Sequence, residues 1–362
     1  MNYELKRVLV VRFRQMGDAV LATPMLDTLR RNYPKAQIDF VLNERIAPLF
    51  AGHPAISRII TFTDDERHSP LRYIRKVWQV VHQTHYDVII DMRSTMNTMH
   101  FALFSLSTPC RIGIRKPYTQ LVFNHRFEGC KDDESMIDHN LLLLSPLGQL
   151  QPAHHLSLHI TQQERDDFRQ YMQHQGIDFS RPVMLAGVTA KLADKTWAED
   201  RMTEVLRRVM KTYPDIQIVF NFAPGKEYDN ALRIYHALQK DLPHSSNLFM
   251  SIEARSMRQL AAMAANCTFY FGNEGGGRHI VQAMGRPSLV VCSPMASKKT
   301  WLPENDEVLT RGIAASDISD VTGLTYQQQY QLISVERVWT VLQAFLHAVL
   351  KSQISNLKSQ IE

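Results

Sequence analysis

The chain has 362 residues, of which 44% are apolar and 21% charged, enough for two domains with their own cores and ordinary for a folded protein. A formal charge of +5 favours an anionic substrate or surface but is too slight to mark a nucleic-acid binder. Residues 1–7 are charged and run straight into a strand, and no apolar run approaches about 18 residues, so neither a signal peptide nor a membrane span is expected.

The first element is an apolar run, Val8, Leu9, Val10, Val11 and Phe13, which reads as a strand buried on both faces. A turn through Arg14 to Asp18 follows, then one helix over 19–31 with Val20, Leu21, Met25, Leu26 and Leu29 at helical spacing. Strands are predicted at 38–42, 56–62, 88–90 and 111–114, and helices at 71–82 and 93–104. Strand and helix in alternation predict a parallel sheet with helices on both faces. A crossover falls at 146–158 and a surface helix at 163–175.

A second alternation begins at 183–188. It runs through a helix at 199–211, a strand at 216–220, a helix at 228–238, a strand at 248–252 and a helix at 257–264. The strand 267–271, a glycine loop with a helix over 277–284, and the strand 289–292 complete it. A long amphipathic helix at 335–350 is expected to pack back across the domain junction. The expected domains are 1–160, 180–333 and a terminal helical piece, 334–362.

Two strand–glycine loop–helix units in one chain predict two α/β domains facing a central cleft, with ligands where strand ends meet helix N-termini. Asp18 follows Gly17 at a helix start. It reads either as a capping or first-turn carboxylate or as a base for an attacking hydroxyl. The second loop is Gly272-Asn273-Glu274-Gly275-Gly276-Gly277-Arg278-His279. Adjacent glycines let a backbone approach a ligand without Cβ crowding, and Arg278 offers a forked donor for phosphate. The loop matches neither a Walker sequence nor a dinucleotide fingerprint. Lys191 and Lys195 follow the strand 183–188, where a lysine neutralises a diphosphate leaving group. Lys298, Lys299 and Trp301 form another candidate edge, and Arg67, Arg72, Arg75 and Lys76 a basic helix face for an anionic membrane. The cysteines Cys110, Cys130, Cys267 and Cys292 lack short metal-ligand spacing, which fits a reducing compartment, and no metal site is expected.

At these motifs the chain resembles glycosyltransferase family 9, the lipopolysaccharide heptosyltransferases. The likeness runs through Gly17-Asp18 with Thr23-Pro24, Tyr86-Asp87-Val88-Ile89-Ile90-Asp91, Arg111-Ile112-Gly113 and Lys195-Thr196-Trp197. It extends over 271–303, including His279, Gly285-Arg286-Pro287 and Trp301-Leu302-Pro303. The resemblance implies two Rossmann-like domains of the GT-B type. It implies ADP-heptose held by the C-terminal domain and an inner-core lipopolysaccharide acceptor held by the N-terminal one. It further implies inversion at the anomeric carbon without metal or other cofactor, in the cytoplasm, with peripheral contact at the inner membrane.

The family's proposed base matches Asp18 and its phosphate-binding lysine Lys195. Glu274, Gly275, Gly276, Gly277, Arg278 and His279 fall on the donor side, and Arg14, Asp91, Arg93 and His139 on the acceptor side. The family's Asp-Thr-Gly loop reads Glu274-Gly275-Gly276 here, so the carboxylate is one methylene longer and a hydroxyl is missing. That departure leaves open a different nucleotide-sugar donor, a nucleotide-sugar epimerase or hydrolase, or a non-catalytic binding protein.

Overall fold

The computed structural model describes residues 5–13, 15–192, 195–242, 246–302 and 304–358. Arg14 and Pro303 lie outside the described residues. The chain divides into two compact units, Met1–Ile160 and Thr161–Glu362.

In the first unit the strands are β1 (Arg7–Val11), β2 (Gln37–Asn43), β3 (Arg58–Phe62), β4 (Val88–Asp91), β5 (Cys110–Ile114) and β6 (His125–Phe127). They form one parallel sheet in the order β3-β2-β1-β4-β5-β6. Val8 to Val11 and Val88 to Ile90 are buried, as expected of central parallel strands covered on both faces. The chain winds outward from β1 through β2 to β3, then returns to place β4 on the other side of β1. The carboxyl ends of β1 and β4 therefore adjoin where strand order reverses, with Val11 level with Asp91.

Two helices differ from expectation. The single helix predicted over 19–31 is two, Met16–Val20 and Thr23–Asn32. Pro24 explains the break: it has no N–H, and its ring would collide with the Val20 carbonyl in a continuous helix. That carbonyl instead accepts the Thr23 hydroxyl at 2.8 Å. Of the helix predicted over 93–104, only His100–Leu103 is α-helical. Asp91 Oδ1 accepts the N–H groups of Arg93 and Ser94 at 3.0 and 2.8 Å, and Ser94 is left-handed at φ 48°. This side chain-to-backbone turn competes with the helix and wins.

In the second unit β7 (Val183–Gly187), β8 (Gln217–Phe220), β9 (Leu248–Phe249), β10 (Phe269–Asn273), β11 (Ser288–Val291) and β12 (Thr310–Ile313) form a parallel sheet ordered β12-β11-β10-β7-β8-β9. Its reversal point lies between β7 and β10. The helix Gln162–His174 belongs to this unit, earlier in the chain than the expected domain start. It packs on the helix Met257–Asn266, where Arg258 Nη2 donates to Glu164 Oε2 at 2.8 Å. The terminal helix Val335–Lys358 packs on this unit's own core. Val338, Leu342, Phe345 and Leu346 are buried in it, and Phe345 meets the Phe269 ring edge-on at 6.0 Å. Among the described residues no single helix is long and apolar enough to cross a membrane.

The join between β7 and β10 needs glycine on both strands. A Cβ on Gly272 would lie 2.4 Å from the Gly187 carbonyl oxygen and 2.6 Å from Gly187 Cα, so backbone would have to move. A Cβ on Gly275 would meet nothing within 4 Å. Gly272→Ala is accordingly expected to cost more than about 2 kcal/mol of stability, and Gly275→Ala less than about 1 kcal/mol. Equal melting midpoints for the two variants in urea titrations would refute this account of the join.

Candidate active site

Each sheet gathers polar side chains at its reversal point. In the first unit the centre is Arg12, which leaves β1 as the one cation in an apolar run and stays buried. Its Nη2 donates to Asp18 Oδ1 at 3.1 Å, and its Nη1 to the Met92 carbonyl at 3.1 Å. Asp18 is the third residue of the helix Met16–Val20, whose N-cap Gln15 makes no side-chain cap. Asp18 thus sits in the first turn and spends a carboxylate oxygen on Arg12. Both partners are more than nine-tenths buried. Removing one charge of such a pair leaves the other uncompensated, which typically costs about 3–5 kcal/mol.

Of the acceptor-side candidates, Asp91 is wholly buried and holds the turn to Ser94. Burial pushes its carboxyl above the usual range, against the N–H bonds from Ser94 and Arg93. Arg93 Nη1 donates to the Phe13 carbonyl at 2.7 Å. Arg12, Asp18, Asp91 and Arg93 are therefore joined through the segments that follow β1 and β4. His139 lies near Arg12 on a separate element, the helix Met136–Leu142, which Ser135 caps by accepting the Asp138 N–H at 3.3 Å. Burial holds its imidazole below the ordinary histidine value.

His139 lies with two residues that sequence reasoning passed over. Cys130 Sγ, a Glu134 carboxylate oxygen and a His139 ring nitrogen all fall within 4.8 Å of one another. Spacings of four and five residues match no common ligand pattern. The available signal was the helix-start serine between Glu134 and Met136, which folds the segment back.

In the second unit, Lys195 and Glu274 meet across the β7–β10 reversal point, Nζ to Oε1 at 3.7 Å. Glu274 Oε2 accepts the Ser293 N–H, just beyond β11, at 3.0 Å. The preceding Asn273 accepts the Trp197 N–H at 2.7 Å and donates to the Gly187 carbonyl at 3.1 Å. Trp197 is fully buried and donates its indole N–H to the Ile333 carbonyl at 2.9 Å. The segment carrying Lys195 is thereby fixed to the strand carrying Glu274.

Gly275 then precedes the helix Gly276–Ala283, which has no side-chain cap. The N–H groups of Gly276, Gly277 and Arg278 begin that helix without intrahelical acceptors, a ready site for an anion. Lys191 is exposed. Lys298 pairs with Asp317 at 3.0 Å and Glu304 at 3.2 Å.

Arg278, expected as a forked donor to phosphate, turns inward. Nη2 donates to the Trp301 carbonyl at 2.8 Å and Nη1 to Gln282 Oε1 at 3.2 Å, within a fully buried setting that lowers its affinity for a proton. It braces the loop between β11 and β12. His279 is also buried, and burial together with the Arg278 and Lys195 charges holds it well below the usual histidine value. Sequence gave no local hint of Ser293, which meets Glu274 only through sheet order.

Two doubly wound parallel sheets, each with its polar constellation at the carboxyl reversal point, define a GT-B-type glycosyltransferase architecture. Residues 74–350 match the sequence model of glycosyltransferase family 9 (heptosyltransferase), and the chain belongs to that family. It is 22% identical over 299 residues to lipopolysaccharide heptosyltransferase 1 of Escherichia coli (strain K12), covering 80% of this chain and 88% of that one. Among solved structures, it superposes on a family 9 glycosyl transferase from Veillonella parvula with a TM-score of 0.80 at 17% identity, covering 96% and 99% of the two chains. The ADP-heptose LPS heptosyltransferase II of E. coli gives 0.73 at 20% identity, with the same coverage. These likenesses show the fold.

His53 shares the depressed affinity for protons seen at His139 and His279, again chiefly through burial. Below the ordinary histidine pKa of about 6.5, the unfolded chain binds protons that the folded chain refuses, so stability rises with pH. The contribution is complete above that value and is lost as pH falls toward the folded-state values. Urea midpoints are expected to drop between pH 7.5 and 5.5, by up to about 1.4 kcal/mol per group per pH unit. A constant midpoint across that interval would contradict the burial of these rings.

Proposed function

We propose that the chain transfers a heptose from ADP-heptose to a sugar of the lipopolysaccharide inner core, inverting the anomeric carbon. The observation that carries this reading is the Lys195–Glu274 pair beside the uncapped start of the helix Gly276–Ala283. Membership of family 9 and the similarity to enzymes named lipopolysaccharide heptosyltransferase support it.

In this reading the second unit holds the donor. Lys195 and the first helical N–H groups face the diphosphate, where charge grows as the bond from the anomeric carbon to phosphate oxygen breaks. Glu274 positions Lys195 while the Ser293 N–H holds its other oxygen. No metal is needed for this charge, because an ammonium and a helix start take its place. The acceptor hydroxyl oxygen bonds to the anomeric carbon as the nucleoside diphosphate leaves with the electron pair. Asp18, oriented by Arg12, takes the hydroxyl proton.

The test is transfer by the purified chain to core oligosaccharide from ADP-heptose, against UDP- and GDP-sugars and against donor alone. Asp18→Asn is expected to lower stability, because buried Arg12 loses a counter-charge, and in the folded fraction to keep donor affinity while lowering kcat about 10²-fold or more. Lys195→Ala is expected to lose at least about tenfold more in kcat/KM than Lys191→Ala. Preference for a UDP- or GDP-sugar would overturn the donor, and turnover of donor alone would favour an epimerase or hydrolase. Near-native transfer by a folded Asp18→Asn would remove Asp18 from the chemistry.

The acceptor's lipid anchor also motivates a peripheral contact at the cytoplasmic face of the inner membrane. On the helix Pro70–Gln83, Lys76 is bound to Glu66 at 2.6 Å, and Arg67 before it faces Asp64 at 3.4 Å. The outer face is instead Leu71, Arg72, Arg75 and Trp78, with Leu71 85% and Trp78 52% exposed. Two apolar side chains flanked by two arginines suit an anionic lipid surface, at about 1 kcal/mol per cation. Arg72→Glu with Arg75→Glu is expected to weaken sedimentation with anionic phospholipid vesicles at least about tenfold, and salt to do the same. Binding indifferent to both would refute the contact.

A further inference from the structure

The grouping of Cys130, Glu134 and His139 is not used by the chemistry above, and its donor atoms suit a different ligand. We propose that it is a binding site for a divalent cation of the zinc class, built entirely within the first unit.

The segment that supplies it is short and closed on itself. After β6, Cys130 begins a turn in which the Glu134 N–H donates to the Lys131 carbonyl at 3.1 Å. The Lys131 N–H donates back to Glu134 Oε2 at 3.2 Å, which fixes the orientation of that carboxylate. Ser135 then starts the helix Met136–Leu142, and the His139 N–H donates to the Ser135 carbonyl at 2.8 Å. The His139 ring is thereby brought over the turn. The outcome is one sulfur, one carboxylate oxygen and one imidazole nitrogen within 4.8 Å of one another.

Mixed sulfur, nitrogen and oxygen donors select a borderline-soft ion over magnesium or calcium, which take oxygen alone. Tetrahedral zinc ligands lie about 2.0–2.3 Å from the metal, hence about 3.3–3.8 Å from each other, so the three need close by at most about 1–1.5 Å. Three protein ligands leave a fourth position for water. His139 is buried and Cys130 half-buried, while Asp132 and Asp133 on the turn are exposed, giving a negative approach from solvent. Arg12 is an opposing charge nearby, and it is bound to Asp18. On binding, the thiol proton at Cys130, now directed at the Lys131 and Glu134 carbonyls at 3.6 and 3.7 Å, is released to solvent.

The experiment is titration of the full chain with Zn2+ in competition with a chromophoric chelator, and with Co2+ monitored for a thiolate-to-cobalt charge-transfer band. One equivalent of zinc and the cobalt band are expected. Cys130→Ser should abolish the band, and Cys110→Ser, at the other half-buried thiol of this unit, should retain it. Glu134→Gln, at a position that loses no packing, should weaken zinc binding about tenfold or more and still show the band. Should Cys130→Ser fail to fold, the Glu134→Gln affinity and the Cys110→Ser band decide. Absence of stoichiometric zinc, or zinc binding unchanged in Glu134→Gln and His139→Gln, would overturn the proposal.

Discussion

Parallel pairing at a reversal of strand order governs both units. When a chain winds outward from a central strand and then crosses to its other side, the two central strands end side by side and their following segments diverge. The space left at those ends is lined by backbone groups and helix starts, with no side chain needed to make it. At β7 and β10 the demand is extreme: a Cβ on Gly272 would run into the Gly187 backbone, and one on Gly187 into the Tyr270 side chain. That approach sets Asn273 where it holds both the Gly187 carbonyl and the Trp197 N–H, and so determines where Lys195 and Glu274 meet.

The two reversal points handle charge differently. In the first unit a buried cation and carboxylate neutralise each other, and Arg12 also ties the end of β1 to the segment after β4. In the second unit the buried cation, Arg278, makes no ion pair among the described residues and is held by the Trp301 carbonyl and the Gln282 amide. The carboxylate of that loop, Glu274, is turned the other way, toward Lys195 and the Ser293 N–H. One carboxylate thus reaches partners that follow β7 and β11, the two neighbours of β10.

Much of this architecture was legible in the sequence because buried parallel strands are unbroken apolar runs and their helices carry a regular stripe. Val8 to Val11 and Phe269 to Phe271 are of that kind. What was not legible depends on local competition or on tertiary order. Pro24 split a helix whose apolar spacing ran through it, and Asp91 captured two N–H groups that a helix over 93–104 would have used. Arg278 looked like a phosphate ligand because its place after three glycines says nothing of the side chain's direction. Its burial is set by Trp301 and Gln282, one of them more than twenty positions away. The grouping of Cys130 and Glu134 with His139 was missed because a turn and a helix cap, rather than a repeat, bring them together.

The Trp197 indole has a bearing on the order in which the chain can mature on the ribosome. Its partner, the Ile333 carbonyl, is also held by Arg201, which donates to the carbonyls of Tyr330, Gln331 and Ile333. A strand at 183 and a lysine at 195 can be synthesised long before residue 333 emerges, so Trp197 can reach Asn273 before it can reach Ile333. The first unit can close during synthesis, whereas the lysine-bearing loop of the second must wait for nearly the whole chain. During that interval the Trp197 indole N–H lacks its acceptor, so the core around it closes over an unmade hydrogen bond.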